Sequence, residues 1–484
     1  MNTSHRNEVK IQSERAVLAA VRLPDSRYNQ ADPFGELKAL AEQAGAVVVG
    51  TLEQQLVRPV AGSYMGTGKL DELRALCAEL DAKTVIFDHE LSPKQIANIE
   101  KVVERKVLDR SEVILDIFAS RATTHEAKLQ VEIAQLEYTY PRLRAMWTHL
   151  ERIVGGSPGG VGTRGPGEQQ LEIDRRLVQQ RKSHLKRELS VIQARKTRSV
   201  EKRNVDSFTV GLVGYTNAGK STLFNSLTEG GAYADDRLFA TLMTRTRKWD
   251  LGQGVNVMLS DTVGFVRDLP HNLVASFRAT LEEATHADLL LIVLDVSDPS
   301  AELQYNEVIR TLDELFDEVE REHKKALSKG AGHANVPDWK RPERLVLLNK
   351  VDRLRDNREL LVWQQKIPQS LPISALPSTE DNPSRGQEEL TRRVREAVLG
   401  EDREVTLTLP LRDSRTLHTL ETRAEILDRQ YDADTVTLRV RVGSRLLTQL
   451  RSGGSQLKLD PDDATKPAAW APSPDADSNK PRNF

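Results

Sequence analysis

Gly211-Leu-Val-Gly-Tyr-Thr-Asn-Ala-Gly-Lys-Ser-Thr222 is the stretch whose reading decides the fold. Within it, Gly214, Gly219, Lys220 and Ser221 have the spacing G-x-x-x-x-G-K-[ST] of a phosphate-binding loop. Upstream, Phe208-Thr-Val-Gly-Leu-Val213 is β-branched and apolar and reads as a buried strand; downstream, Ser221 to Leu227 reads as a helix start. Strand, glycine loop and helix form the setting in which the motif works. The glycines let backbone N–H groups close around phosphate oxygens, and the helix N-terminus adds its partial positive charge. Lys220 reaches the outer phosphates and Ser221 offers an oxygen to Mg2+, while Tyr215, Thr216, Asn217, Ala218 and Thr222 complete the cradle. The bland alternative, a glycine turn before a surface helix, does not account for both flanks.

Four further elements follow in the order a GTP site requires. Val257-Met-Leu-Ser-Asp-Thr-Val-Gly264 is a strand ending in D-x-x-G, where Asp261 supports Mg2+ through its water shell and the Gly264 N–H meets the γ-phosphate. Leu289-Leu-Leu-Ile-Val-Leu-Asp295 reads as a central strand, and Leu345 to Asp352 ends another in N-K-x-D. Guanine shows two adjacent donors, which the Asp352 carboxylate accepts together; adenine has no such pair there. Asn349 tethers neighbouring loops, the Lys350 stem covers the base, and Ser374-Ala375 follows the short run Leu371-Pro-Ile373, with the Ala375 N–H expected at the guanine oxygen. In Leu238-Phe239-Ala240-Thr241, Thr241 is the expected second Mg2+ hydroxyl, with Thr244 and Thr246 nearby as competitors. The catalytic set is therefore Lys220, Thr241 and Gly264. Phe265 stands where many GTPases place a water-orienting glutamine, and it has no polar group to do so. Slow hydrolysis alone and faster hydrolysis with a partner are expected, with Asn217 able to help hold a monovalent cation such as K+.

At 484 residues the chain has room for about three ordinary domains. With 29% charged and 38% hydrophobic residues and no stretch of roughly 20 apolar ones, it reads as soluble and without an integral span. Met1 to Lys10 lacks the apolar core of a signal peptide, and the single cysteine, Cys77, excludes an internal disulfide. A monomer in the cytoplasm is expected, with at most a peripheral membrane association. The fold class is α/β: a central P-loop domain, a small α/β domain and long helical arm before it, and a small α+β domain after it. The expected boundaries are 1–125, 126–205, 206–400 and 401–451, then a disordered tail over 452–484.

Residues 16 to about 118 alternate strands (16–21, 46–50, 84–87) with helices (36–44, 71–80, 93–103). The turn Met65-Gly66-Thr-Gly-Lys69 could hold an anion, but one glycine pair with a lysine is a weak signal and a plain strand-to-helix turn is the favoured reading. From Ser111 to Leu150 the pattern is helical, with Tyr138, Tyr140 and Trp147 read as core rather than stacking surface. Val154 to Gly167 holds seven glycines, two prolines and Arg164, so it is either a hinge or a loop shaped to a polyanionic surface. Between Arg175 and Arg203 eleven Lys/Arg face two Glu, an excess of nine positive charges; Arg175, Arg176, Arg181 and Lys182 are its leading phosphate contacts. Lys324 to Arg341 reads as a mobile insertion, and 411–427 as a helix between strands 405–409 and 435–442.

Taken together, these residues resemble the HflX-type GTPases. Besides the GTPase elements, the resemblance rests on Tyr64-Met-Gly-Thr-Gly-Lys69, Phe87-Asp-His-Glu-Leu-Ser-Pro93, Ile114-Leu-Asp-Ile-Phe118 and Lys128-Leu-Gln-Val-Glu132. It also rests on Gly162-Thr-Arg-Gly-Pro-Gly-Glu168, Asp174-Arg-Arg176 and Asp261 to Pro270. The resemblance implies a GTP- and Mg2+-dependent factor that binds the large (50S) ribosomal subunit and its rRNA and separates stalled or idle 70S particles under stress. It implies that the glycine-rich loop lies near the peptidyl transferase centre, and that ATP is used at the amino-terminal domain, where residues 66–69 would be the phosphate contact. A GTPase that assembles precursor rRNA particles is the rival reading, and a nucleotide-locked scaffold a third. Departures from the family pattern follow Thr241 (Leu-Met-Thr-Arg-Thr-Arg247) and Ala375 (Leu-Pro-Ser-Thr-Glu-Asp-Asn-Pro383), and Ser157-Pro158 interrupts the glycine loop.

Overall fold

Ala16 to Val21 is an unbroken apolar run with no exposure at any position, as expected of a strand covered by helices on both faces. It lies in β1 (Arg15–Arg22), which with β2 (Val47–Gln55), β3 (Thr84–Phe87) and β4 (Lys106–Asp109) forms a parallel sheet in the order β2-β1-β3-β4. The computed structural model describes residues 14–24, 26, 28–154, 176–192, 208–228, 245–252, 255–267, 284–328, 339–354, 356–376, 386–400, 402–443, 446–447, 450 and 457–459. They fall in two units, Met1–Thr246 with Leu259–Ser384, and Arg247–Met258 with Arg385–Phe484.

In the first unit, α1 (Gly35–Gln43), α2 (Thr67–Glu79) and α3 (Pro93–Val103) alternate with these strands. α3 starts where its sequence says it must: Ser92 and Gln95 form a reciprocal capping box and Pro93 fills the first turn. The Asp109 carboxylate accepts from the Glu112 N–H and caps α4 (Arg110–Arg121). α5 (His125–Val154) and α6 (residues 176–192) share a small core of Leu129, Ile133, Leu185 and Leu189.

The second sheet has the order β10-β9-β8-β5-β7-β6, from β5 (Thr209–Gly214), β6 (Arg245–Asp250), β7 (Asn256–Asp261), β8 (Leu289–Asp295), β9 (Glu343–Asn349) and β10 (Leu371–Pro372). β5 and β9 flank β8 in parallel register, with Val210 opposite Leu289 and Asp295 opposite Asn349. α7 (Lys220–Leu227) leaves β5, and α8 (Ala301–Ser328) packs Val308, Leu312 and Phe316 into the core over β8. In the second unit, β11 (Asp402–Pro410), β12 (Glu425–Tyr431), β13 (Thr435–Gly443) and β14 (Lys458–Leu459) form an antiparallel sheet, order β12-β13-β11-β14, carrying α10 (Gln387–Leu399) and α11 (Ser414–Arg423). α9 (Asn357–Lys366) completes the helices named here.

Four expectations need correction. β4 lies where no strand was expected. The segment 411–427 is not one helix, because the chain turns after Arg423 into β12, which pairs with β13. Lys458–Leu459 sits inside the expected disordered tail yet pairs with β11, Leu459 opposite Leu407. The expected insertion at 324–341 is shortened from both ends: α8 runs to Ser328, Trp339 packs on Phe316, and Arg341 pairs with Asp317 and Glu320. The glycine-rich stretch 155–167 lies outside the described residues.

Candidate functional site

β5 delivers the phosphate loop to the edge where β8 and β9 also end, so three strand ends converge on one pocket. Gly219 is left-handed at φ +97°, and a Cβ there would come within 2.3 Å of Asn349 Nδ2; only glycine fits. The Lys220 ammonium is buried and donates to the carbonyls of Gly214 (3.1 Å) and Tyr215 (2.7 Å). Burial pushes its pKa down to about 8, against the opposing pull of Asp261. Such a desolvated cation gains most from a phosphate.

Ser221 Oγ donates to Asp261 Oδ2 at 2.8 Å, and Asp261 is 1% exposed. A hydroxyl and a carboxylate, both hard oxygen donors at the end of a phosphate loop, fit Mg2+, which keeps most of its waters and needs few protein ligands. Gly264 lies against the loop: a Cβ on it would be 2.9 Å from Thr216 Cα and 3.0 Å from Lys220 Nζ. Phe265 is 2% exposed in the core that holds Tyr215 and Ile292, so its ring cannot serve an attacking water.

The base pocket is fastened by hydrogen bonds. Asn349 donates from Nδ2 to the Ala218 carbonyl (2.7 Å) and accepts on Oδ1 from the Ala375 N–H (3.0 Å). That amide, expected at the guanine oxygen, is thus committed to Asn349, and Ala375 ties the two loops together. Ser374 Oγ donates to Asp352 Oδ1 at 2.7 Å, which aims the carboxylate and leaves its other oxygen to a base. Lys350 reaches the Asn217 carbonyl (2.8 Å) and pairs with Asp295 Oδ2 at 2.7 Å. Asp295 had no role in the sequence reading; its position ending β8 was the available signal. A cleft of about 850 Å3 opens beside this corner, bordered by Asn217, Asp295, Lys350 and Glu36.

Of the expected site residues, 214–222, Asp261, Gly264, 349–350, Asp352 and 374–375 gather here, and Thr222 follows Ser221 within α7. Phe239, Ala240 and Thr241 lie outside the described residues, as do Arg164 and Arg175. On α6, Arg181 donates to Glu132 of α5 (2.8 Å), while Lys186 (2.7 Å) and Lys182 (3.8 Å) share Glu137. The hairpin therefore offsets part of its own positive charge. Arg176 begins the described part of α6 and is exposed. The Gly66 N–H, at the start of α2, donates to Gln54, and Lys69 in the first turn of α2 pairs with Glu72. Among the described residues no helix is long and apolar enough to cross a membrane, and no cluster of three or more His, Cys, Asp or Glu is placed to hold a metal.

Sequence comparison bears on this geometry. The family described as "GTP-binding GTPase N-terminal" matches residues 31–119, "GTP-binding GTPase Middle Region" matches 121–203, and "50S ribosome-binding GTPase" matches 209–329. A GTPase HflX of Magnetococcus marinus is 38% identical, covering 86% of this chain and 89% of its own. The GTPase HflX of Escherichia coli is 37% identical over 83% of this chain and 87% of its own. A crystal structure of a GTP-binding protein from Sulfolobus solfataricus with GDP is 24% identical over 79% of this chain and 98% of its own, with a TM-score of 0.38.

Proposed function

The chain belongs to the HflX family of GTPases, and we propose that in its GTP form it binds the large ribosomal subunit and separates 70S ribosomes into subunits. It is a GTP hydrolase with a P-loop domain; the ribosomal partner and the splitting step are the inference. What supports the ribosomal partner is one observation: residues 209–329, which carry the phosphate loop, Asp261 and Gly264, match a family described as 50S ribosome-binding. Ribosomal work places the protein in the cytoplasm.

The residues act as follows. Lys220 and the loop amides would grip the phosphates, Ser221 would hold Mg2+ directly and Asp261 through its water shell, and Asp352 would select guanine. Mg2+, when bound, neutralises charge on the outer phosphates. Gly264 reads the γ-phosphate through its N–H and so links nucleotide identity to the segment that follows. Thr241 would offer the metal a second hydroxyl. Since Phe265 is buried, the group that orients water comes from another switch residue, from a cation such as K+ near Asn217, or with the partner, and hydrolysis is slow without the ribosome. The exposed cations of α6 with Arg164 and Arg175 supply phosphate contacts to rRNA, which need no base reading. Co-sedimentation with purified 50S subunits tests the first step: binding with a GTP analogue but not GDP, weakening steeply with salt, is expected. Equal binding with both nucleotides, or binding confined to precursor particles, contradicts it.

A further inference from the structure

The segment after Asp261 is held by the amino-terminal sheet domain as well as by the nucleotide pocket. Val263 and Val266, 7% and 1% exposed, belong to the same core as Leu18, Leu37, Ile114 and Phe118. Between them Phe265 turns the other way, and its backbone docks on the phosphate loop: its N–H donates to Gly214 O (3.0 Å) and its carbonyl accepts from the Thr216 N–H (2.8 Å). Gly264 is thereby set beside Lys220, the expected contact of an outer phosphate.

One hydroxyl joins the two sides. Tyr215, inside the phosphate loop, donates from its OH to Glu36 Oε1 of α1 at 2.6 Å and accepts from the Arg267 N–H at 2.7 Å. Glu36 takes Arg110 Nη2 at 2.6 Å on the same oxygen, and the Arg110 Nε donates to the Arg267 carbonyl at 3.1 Å. Both backbone polar groups of Arg267, three residues past Gly264, are therefore fixed from the amino-terminal domain or through Tyr215.

We propose that Glu36 and Tyr215 are positioning residues through which the amino-terminal domain holds Gly264 ready for the γ-phosphate, so that this domain sets the preference for GTP over GDP. GDP meets the loop amides, Lys220 and the base pocket, none of which depends on the Tyr215 hydroxyl. GTP additionally requires the Gly264 N–H, whose place depends on the anchoring of residues 263–267.

The test uses the full-length protein without ribosomes, so its outcome is independent of the ribosomal reading. Affinities for fluorescent GDP and for a fluorescent non-hydrolysable GTP analogue are measured for wild type, Tyr215→Phe, Glu36→Ala and the double variant. Tyr215→Phe keeps the buried ring and removes only the oxygen. Each single variant is expected to lower the GTP-to-GDP affinity ratio about tenfold, the worth of one charge-assisted hydrogen bond, with GTP losing more affinity than GDP. The double variant should lose less than the two single losses added, because Tyr215 and Glu36 hold the same Arg267 N–H, the second directly at 3.3 Å. Glu36→Gln, which keeps an acceptor oxygen, should recover part of the ratio. An unchanged ratio, equal loss for both nucleotides, or additive losses in the double variant overturns the proposal.

Discussion

Asp88 is a buried acid on which three arginines converge, and Asp88→Asn measures its weight. Its side chain is 1% exposed and takes three guanidinium groups: Arg22 Nη1 and Arg110 Nη1 at 3.0 Å each, and Arg267 Nη2 at 2.8 and 2.9 Å. Burial pushes the Asp88 carboxyl up, but Arg110, Arg267, His89 and Arg22 outweigh it and hold it below the ordinary value. The asparagine keeps the shape and removes the charge, leaving three largely buried cations with Glu36 and Glu53 as remaining acids. Breaking a buried pair by neutralising one member costs about 3–5 kcal/mol. Arg267 is 16% exposed and Glu36 remains close, so the lower end applies: about 3 kcal/mol, on the order of a hundredfold in the unfolding equilibrium. The assay is urea-dependent pulse proteolysis, with Glu104→Gln as reference. That acid pairs with Arg74 at the surface, side chains 61% and 52% exposed, and its loss should cost under about 1 kcal/mol. The sign with pH follows from the lowered value. The Asp88 contribution is complete above the unfolded carboxyl pKa of about 4 and disappears as pH falls through the folded one, so the variant lacks that part of the acid sensitivity. Equal destabilisation by the two substitutions refutes the reasoning.

Other outcomes follow from the pocket. Asp352→Asn should weaken GTP at least tenfold and favour xanthosine triphosphate, whose base offers an acceptor where guanine offers a donor; unchanged preference in competition binding removes Asp352 from the base pocket. Lys220 sits at about 8 before phosphate contact, and an anion raises it, so nucleotide binding at pH 8.5 should take up a proton and affinity should fall as pH rises beyond 8. Calorimetry in buffers of different ionisation heat reads that uptake; identical heats contradict it. Neutralising Arg175, Arg176, Arg181 and Lys182 together should weaken 50S binding and flatten its salt dependence, while GTP affinity stays unchanged.

Much of this was legible because local rules and tertiary needs agree. The phosphate loop, D-x-x-G and N-K-x-D sit at strand ends since phosphates and bases are met there by backbone groups, and a short motif suffices to mark them. β4 escaped because Lys106-Val-Leu-Asp109 is four residues long, too short for a period, and passes directly into α4. β12 escaped because Ile426 and Leu427 continue helical spacing from Leu411; pairing with β13, not propensity, makes it a strand. The Asp88 and Glu36 contacts were invisible for another reason. Arg110 and Arg267 lie 22 and 179 residues from Asp88, and Tyr215 lies 179 from Glu36, so only the folded chain brings them together. α6 shows the converse: its charge excess was plain, but the acids of α5 that temper it were not.

The measurement that bears most directly on the account is sucrose-gradient sedimentation of purified 70S ribosomes with this protein and a non-hydrolysable GTP analogue, compared with GDP and with an ATP analogue. The account predicts that the 70S peak gives way to 30S and 50S peaks with the GTP analogue alone, the protein travelling with 50S. A 70S peak that persists in all three conditions, or that splits equally with the ATP analogue, contradicts it.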